Sequence, residues 1–456
     1  MRRIFKGTMI GMILYGLYVF VFGVLVFALP GPFTESELTF DTERMRTVSE
    51  EGVQAVLLGD NSEAFMIRIA LIANAEHSIR MSSLYAHEGE SRDVLFGALY
   101  EAAERGVQVE LVFNSLRGYA NFSARDFRVL NHHENITIRN FEPFHPFRPT
   151  TLQNGIHDKL LIVDEREAII GGRNIDDRYF MGDQIFWNEV YDWEVFLQGE
   201  NASSIKDMVN YFDEMFALDA SKDIGTSSDP DRIDTLKTLN ESFVENHDPH
   251  STFETFSENM IPVDNVTFVH SPLTHGKKSP VILKTLSTLA ENYDEWFIQT
   301  PAFGFTREMV DIIPKTENRS VTLLTNTPAS SPNPWGTAGY LNYRGSLSEQ
   351  ATLHEHQTDT DLHGKAMRFG ETITVIGSYN VNPRSTFYNS ESLVVIYDPS
   401  FAALFDDALE PLLQDSLMVT PEGALVGDAE PTDMPLHRRV FLPVLRLFAY
   451  PLRFMQ

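Results

Sequence analysis

Two stretches of this chain share residue types at identical spacing, and that repeat constrains the fold more than any other feature. Ile156–Tyr179 reads IHDKLLIVDEREAIIGGRNIDDRY, and Leu362–Arg384 reads LHGKAMRFGETITVIGSYNVNPR. In each, a lysine follows a histidine by 2 positions and an asparagine follows it by 17: His157, Lys159 and Asn174, then His363, Lys365 and Asn380. A period of two sets each histidine and lysine on one face of an extended segment, and the apolar run Leu160–Val163 reads as a buried strand. Gly171-Gly172 and Gly377-Ser378 stand where backbone can approach a ligand closely. The repeat implies duplicated halves, each giving one histidine to a shared site.

The flanking pattern agrees with duplication. Strand Ser78–Tyr85, helix Asp93–Arg105 stopped by Gly106 and strand Val107–Asn114 suggest a right-handed βαβ unit. Glu295–Thr300, Thr306–Ile313 and Ser320–Asn326 repeat it as strand, helix and strand. Asp219–Ser257 is rich in Asp, Ser and Glu and reads as a linker or surface excursion. The fold class is therefore α/β, with an anchor at 1–34, a first lobe at 45–220, a linker at 221–260, a second lobe at 261–420 and a basic amphipathic segment at 430–456.

Gly7–Leu29 carries no charge for 23 residues, enough to cross a hydrocarbon core as a helix. Arg2, Arg3 and Lys6 precede it and Glu35, Glu37, Asp41 and Glu43 follow it. The positive-inside rule thus predicts a single-pass anchor in the cell membrane with an extracytoplasmic catalytic part. In His437–Gln456 four arginines alternate with apolar residues, a pattern suited to anionic headgroups, and Pro443 and Pro451 predict two short helical pieces. The net charge of −28 disfavours nucleic acid as a partner. With no cysteine, thiolate metal sites are excluded.

The pattern H-x-K-x4-D followed by G-G/S-x-N resembles the signature of the phospholipase D superfamily. The first copy matches throughout, with Asp164 as its acid; the second has Gly370 there and Glu371 one place later. Within the superfamily the chain looks most like bacterial cardiolipin synthases and related phosphatidyltransferases, through LFGALYEAAERGVQVELVFN at Leu95, GGRNIDDRYF at Gly171, GYLNYRG at Gly339 and GSYNVNPRST at Gly377. The resemblance implies two α-β-α sandwich lobes related by a pseudo-twofold, with the active site between them.

It also implies roles. His157 attacks phosphorus and becomes a phosphohistidine, and His363 serves as general acid and base. Lys159, Lys365, Asn174, Asn380 and Ser378 bind the phosphate oxygens, and Glu194 and Glu391 orient the histidines. Asp164 supports strand and turn geometry. No metal or cofactor is implied, the substrates are phospholipids such as phosphatidylglycerol, and the oligomeric state stays open. Two alternatives keep the fold: a phospholipase D that uses water as acceptor, and a weakened lipid-binding scaffold because of Gly370. Gly370→Asp is expected to leave activity unchanged or to improve it.

Overall fold

The computed structural model describes residues 2–29, 31, 40–47, 52–115, 124–181 and 189–456. Most of Phe33–Gly52, which its polar sequence marks as a connector, and part of Ser115–Asn135, which reads as an irregular stretch, lie outside them. Two mixed sheets of nine strands form the frame. In spatial order the first runs Ser221–Asp223, Ile136–Phe141, Gln108–Asn114, Ser78–Ser83, Leu160–Val163, Glu167–Gly171, Glu194–Gln198, Gln54–Leu58 and Ile261–Pro262. The second runs Ser416–Val419, Thr352–His356, Ser320–Asn326, Glu295–Gln299, Ala366–Phe369, Ile373–Gly377, Ser392–Tyr397 and Asn265–His270, with Leu425–Val426 added beyond Ser416–Val419. Eight strands thus share one order in both sheets, and the ninth joins at opposite edges.

The motif strands lie mid-sheet and are apolar on both faces. Leu160–Val163 and Ile373–Gly377 are buried at every position, which is why they read as continuous apolar runs. One apolar cluster contains Leu160, Ile170 and Val195 of the first lobe with Ile376, Val394 and Phe405 of the second. The lobes share a core, so their relative position is fixed by packing.

Two short parallel pairs cross between the lobes. Gly155–Ile156 pairs with Asn389–Ser390, and Val190–Tyr191 pairs with Asp361–Leu362. Each pair ends just before a motif histidine, and this crossing builds the site.

Besides Thr327–Gln350, which reads in sequence as an irregular connector and is helical over Pro334–Gln350, three regions differ from the sequence expectation. The linker contains two helices, Pro230–His247 and Pro249–Glu258, each opened by an aspartate cap and a proline. Ile233, Leu236 and Phe243 bury the first of them in the core of the first lobe. Its backbone comes so close to Gly97 that a Cβ there would lie 2.2 Å from the Leu236 carbonyl oxygen. Second, Thr306–Ile313 is helical only over Arg307–Val310. Third, the C-terminal segment is one helix, Leu436–Ala449, running through Pro443, and only Pro451 interrupts it. Leu442 and Ala449 seat it against Ala338, and that packing offsets the hydrogen bond a proline forfeits. Its arginines turn partly to the protein: Arg438 donates to the carbonyls of Pro328 and Ser331, and Arg446 to Asn342.

Candidate active site

Each cross-lobe pair delivers a histidine and, from the other lobe, the carboxylate that faces it. The His157 amide donates to the Ser390 carbonyl at 2.8 Å, and His157 Nδ1 meets Glu391 Oε2 at 2.9 Å. By the same geometry the His363 amide donates to the Tyr191 carbonyl at 2.8 Å, and His363 Nδ1 meets Asp192 Oδ2 at 2.6 Å. Burial alone would raise both carboxyls, but His157 and Lys159 hold Glu391 low, as Lys365 and His363 hold Asp192. Both are therefore acceptors, so each Nδ1 carries the proton and each Nε2 has a free lone pair. His157, His363, Asn174 and Asn380 line one cleft of about 710 Å³.

The lysines lie beneath the histidines. Lys159 Nζ donates to the His157 carbonyl at 2.5 Å. Lys365 donates to the His363 carbonyl and comes within 2.6 Å of His363 Nδ1 and 3.7 Å of Asp192. Burial lowers the Lys159 ammonium to about 7 and also lowers Lys365. Burial and the neighbouring lysines bring His157 down to about 4 and His363 to about 3. Four groups whose charged forms burial disfavours thus converge where an anion would favour them.

Several expected residues sit elsewhere. Glu194 faces neither histidine: it is fully buried between Arg68 and Arg173, forming an ion pair with each. The reason is register. Glu194 pairs with Gly171 and Leu393 with Gly377, so the counterpart of Glu391 is Asp192, two residues before Glu194. Ser378 does not face the cleft either; its hydroxyl donates to Glu391 at 2.5 Å. At the matching position of the first lobe, a Cβ on Gly172 would lie 2.1 Å from Asp192 Oδ1. Asn174 donates to the Tyr179 hydroxyl at 3.1 Å, and its buried Oδ1 has no partner among the described residues. Asn380 donates to Ser385 at 3.3 Å.

Asp164 lies at the far end of its strand, where its carboxylate accepts the amides of Glu76, His77 and Ser78 at 2.8–2.9 Å. Gly370 occupies the same left-handed turn, with φ +57° against +51° for Asp164. The space of the missing carboxylate is filled: a Cβ on Gly370 would lie 2.5 Å from the Tyr293 ring. Glu371 is exposed and does not substitute. The expectation of a neutral or favourable Gly370→Asp thus meets a packing obstacle, because the Tyr293 ring stands where that side chain must go.

The family model described as a cardiolipin synthase PLD-like domain matches residues 68–216 and 286–413, more than half of the chain. The chain belongs to that family. As a phospholipase D-type protein it is an enzyme of the phosphatidyltransferase and phosphodiesterase class. It is 25% identical over 395 residues to cardiolipin synthase C of Escherichia coli, covering 75% of this chain and 81% of that one. It is also 25% identical over 375 residues to a cardiolipin synthase of Clostridium perfringens, covering 80% and 71%. The crystal structure of phosphatidylserine synthase from Haemophilus influenzae superposes with a TM-score of 0.65 at 15% identity, over 91% of this chain and all of that one, which supports the fold.

In this phospholipase D-type enzyme two more cleft residues follow the repeat. Arg178 and Arg384 each lie 21 positions after their histidine, and both line the cleft. Arg178 is paired with Asp176 at 2.8 Å, and Arg384 donates to Gln153 at 3.1 Å. Extending the repeat count by four residues past the asparagines would have found them. Asp192 was legible too: aligning the apolar runs Val195–Leu197 and Val394–Ile396 sets it opposite Glu391.

Proposed function

We propose that this enzyme transfers a phosphatidyl group from one phospholipid, through a phosphohistidine on His157, to an alcohol such as the glycerol headgroup of phosphatidylglycerol, giving cardiolipin. The observation that carries the reading is the crossed pair of histidine–carboxylate contacts opening on one cleft. With Nδ1 held by Glu391, His157 Nε2 attacks phosphorus; an N–P bond forms and the bond to the departing headgroup oxygen breaks. His363 gives that oxygen its proton. It then takes the proton of the incoming hydroxyl, whose oxygen attacks phosphorus and releases His157. Before the first step Nε2 of His363 must be protonated, and the phosphate anion favours that by offsetting the positive neighbours that depress it.

Lys159, Lys365 and the side chains of Asn174 and Asn380 stabilise the charge on the non-bridging oxygens. Ser378 acts through Glu391, which also accepts from Ser385 at 2.6 Å, so the His157 side of the site is the more firmly braced. Arg178 and Arg384 are suited to the phosphate of a second lipid at the cleft edge.

Membrane attachment supports a lipid substrate. Phe5–Ala28 is long and apolar enough to cross a bilayer. Tyr18 donates to the Phe147 carbonyl at 2.9 Å, and Phe147 is 79% exposed beside that helix. Helix Leu436–Ala449 turns Leu436, Val440 and Leu447 outward. On this reading the helix crosses the cell membrane, the outward apolar face rests on its surface, and the catalytic part is extracytoplasmic. Membranes carrying the protein, incubated with labelled phosphatidylglycerol, should yield labelled cardiolipin and glycerol by mass spectrometry. Phosphatidic acid as the sole labelled product would replace transfer with hydrolysis.

A further inference from the structure

The second lobe contains an apolar cavity where the first has a helix. In the first lobe, the 15-residue helix Glu90–Glu104 connects Ser78–Ser83 to Gln108–Asn114 and buries Val94, Leu95 and Leu99 in the core. In the second, the matching strands are joined by a segment with one four-residue helix, Arg307–Val310. The uncovered sheet face opens a cavity of about 400 Å³ walled by Leu286, Ile298, Leu323, Leu347, Met367 and Phe369. Lys315 is the one charged residue among its described lining.

The cavity adjoins two places that matter. Phe303 lines both it and the catalytic cleft. Tyr379 and Val381 face the cavity while Asn380, between them, lines the cleft. On the outer side, Val310 borders the cavity and is 57% exposed. The adjacent Thr306–Glu308 faces Phe27 and Ala28 at the end of the apolar N-terminal helix. Lys277 joins these parts, donating to the Leu29 carbonyl at 3.0 Å and to Glu308 at 2.5 Å.

We propose that this cavity holds one acyl chain of the phospholipid whose phosphate is bound in the cleft. The proposal rests on the phospholipid reading above and adds a subsite to it. Apolar walls offer a polar ligand little to bind, whereas a hydrocarbon chain gains about fourfold in affinity per buried methylene. The volume lies within the range of roughly 300–1,000 Å³ usual for ligand sites. A chain entering beside the anchor would reach the cavity at the exposed Val310, and its headgroup would lie at the wall shared with the cleft. In the first lobe the helix Glu90–Glu104 fills the matching place, so on this proposal one chain is held and the others stay in the bilayer.

Trp296 lines the cavity and reports on its contents. The full-length protein is incorporated into nanodiscs containing phosphatidylglycerol brominated along its acyl chains. Quenching of a fluorescence component that Trp296→Phe removes is expected, and no quenching of that component would overturn the proposal. In parallel, Ala290→Phe and Leu347→Trp fill the cavity without touching the cleft. Their turnover of dibutyroyl-phosphatidylglycerol should match wild type, while turnover of the dipalmitoyl lipid falls at least tenfold. An equal effect on both lipids in a variant of unchanged melting temperature would overturn the subsite. If a variant does not fold, the quenching result in the wild-type protein decides. Quenching without any turnover of phospholipid leaves the acyl site standing and removes the transferase reading; turnover without quenching does the reverse.

Discussion

The two lobes hold the same catalytic geometry with different materials. In the first, the carboxylate of Asp164 ties down three amides of the neighbouring turn, and Glu194 joins Arg68 to Arg173 in a buried ionic cluster. In the second, Gly370 adopts the left-handed turn unaided against Tyr293, and Leu393 and Tyr379 stand where the first lobe has Glu194 and Arg173. The groups of the candidate site recur: histidine, lysine, asparagine and arginine at one spacing, with a carboxylate from the opposite lobe. On the proposed mechanism what recurs meets substrate, and what differs supports backbone shape, which an ion pair or an apolar contact can fix equally well. At the missing motif acid the second lobe thus has a different support, a glycine turn against Tyr293, while His363 keeps its contact with Asp192.

The lobe comparison would break most visibly at the histidines. His157→Ala and His363→Ala should each lower turnover by at least about 10²–10⁴-fold, the range of a general acid or base. Trapping with labelled lipid should give a covalent adduct in His363→Asn and none in His157→Asn; the opposite result would exchange the roles of the lobes. The carboxylates come next. Asp192→Asn and Glu391→Gln should each reduce kcat roughly 10- to 100-fold, as expected for a charge-assisted hydrogen bond of ~1.5–3 kcal/mol. Glu194→Gln should instead cost about 3–5 kcal/mol of stability by leaving buried arginines unpaired, read as a lower Tm. A kcat effect from Glu194→Gln as large as that of Asp192→Asn, at equal folded fraction, would restore Glu194 as the orienting group.

Smaller effects sharpen the contrast in support. Gly370→Asp should destabilise by about 1–3 kcal/mol through overpacking against Tyr293. Adding Tyr293→Glu copies the first lobe's Asp164 and Glu76 and should recover much of that loss in a melting experiment. A final test uses pH. The folded protein holds His157 near 4 and His363 near 3, below the ordinary 6.5, so between those values the unfolded chain binds more protons. Their contribution is complete above pH 6.5 and is lost as pH falls through 4 and 3. Asp158, buried and raised to about 7, acts in the opposite sense, losing its contribution as pH rises from 3.8 to 7. The decisive measurement is therefore a difference: the double variant His157→Gln/His363→Gln should lose less stability than wild type between pH 6.5 and 4. A parallel pair of curves would remove the burial of these imidazoles as the cause.

The sequence by itself determined the duplication, the α/β class and most cleft groups, because the chemistry is written as residue types at fixed short spacing. It also carried Asp192, through alignment of the apolar runs, and the two arginines, through the same spacing extended past the asparagines. Tertiary structure decided what depends on contacts between distant segments. The crossed pairs assign each histidine its carboxylate from the opposite lobe, and packing against Leu236, Tyr293 and Ala338 decides the linker, the glycine turn and the C-terminal helix. Local spacing specifies which side chains a segment presents. Which atoms they meet is fixed only when two sheets, joined by a common core, bring those segments together.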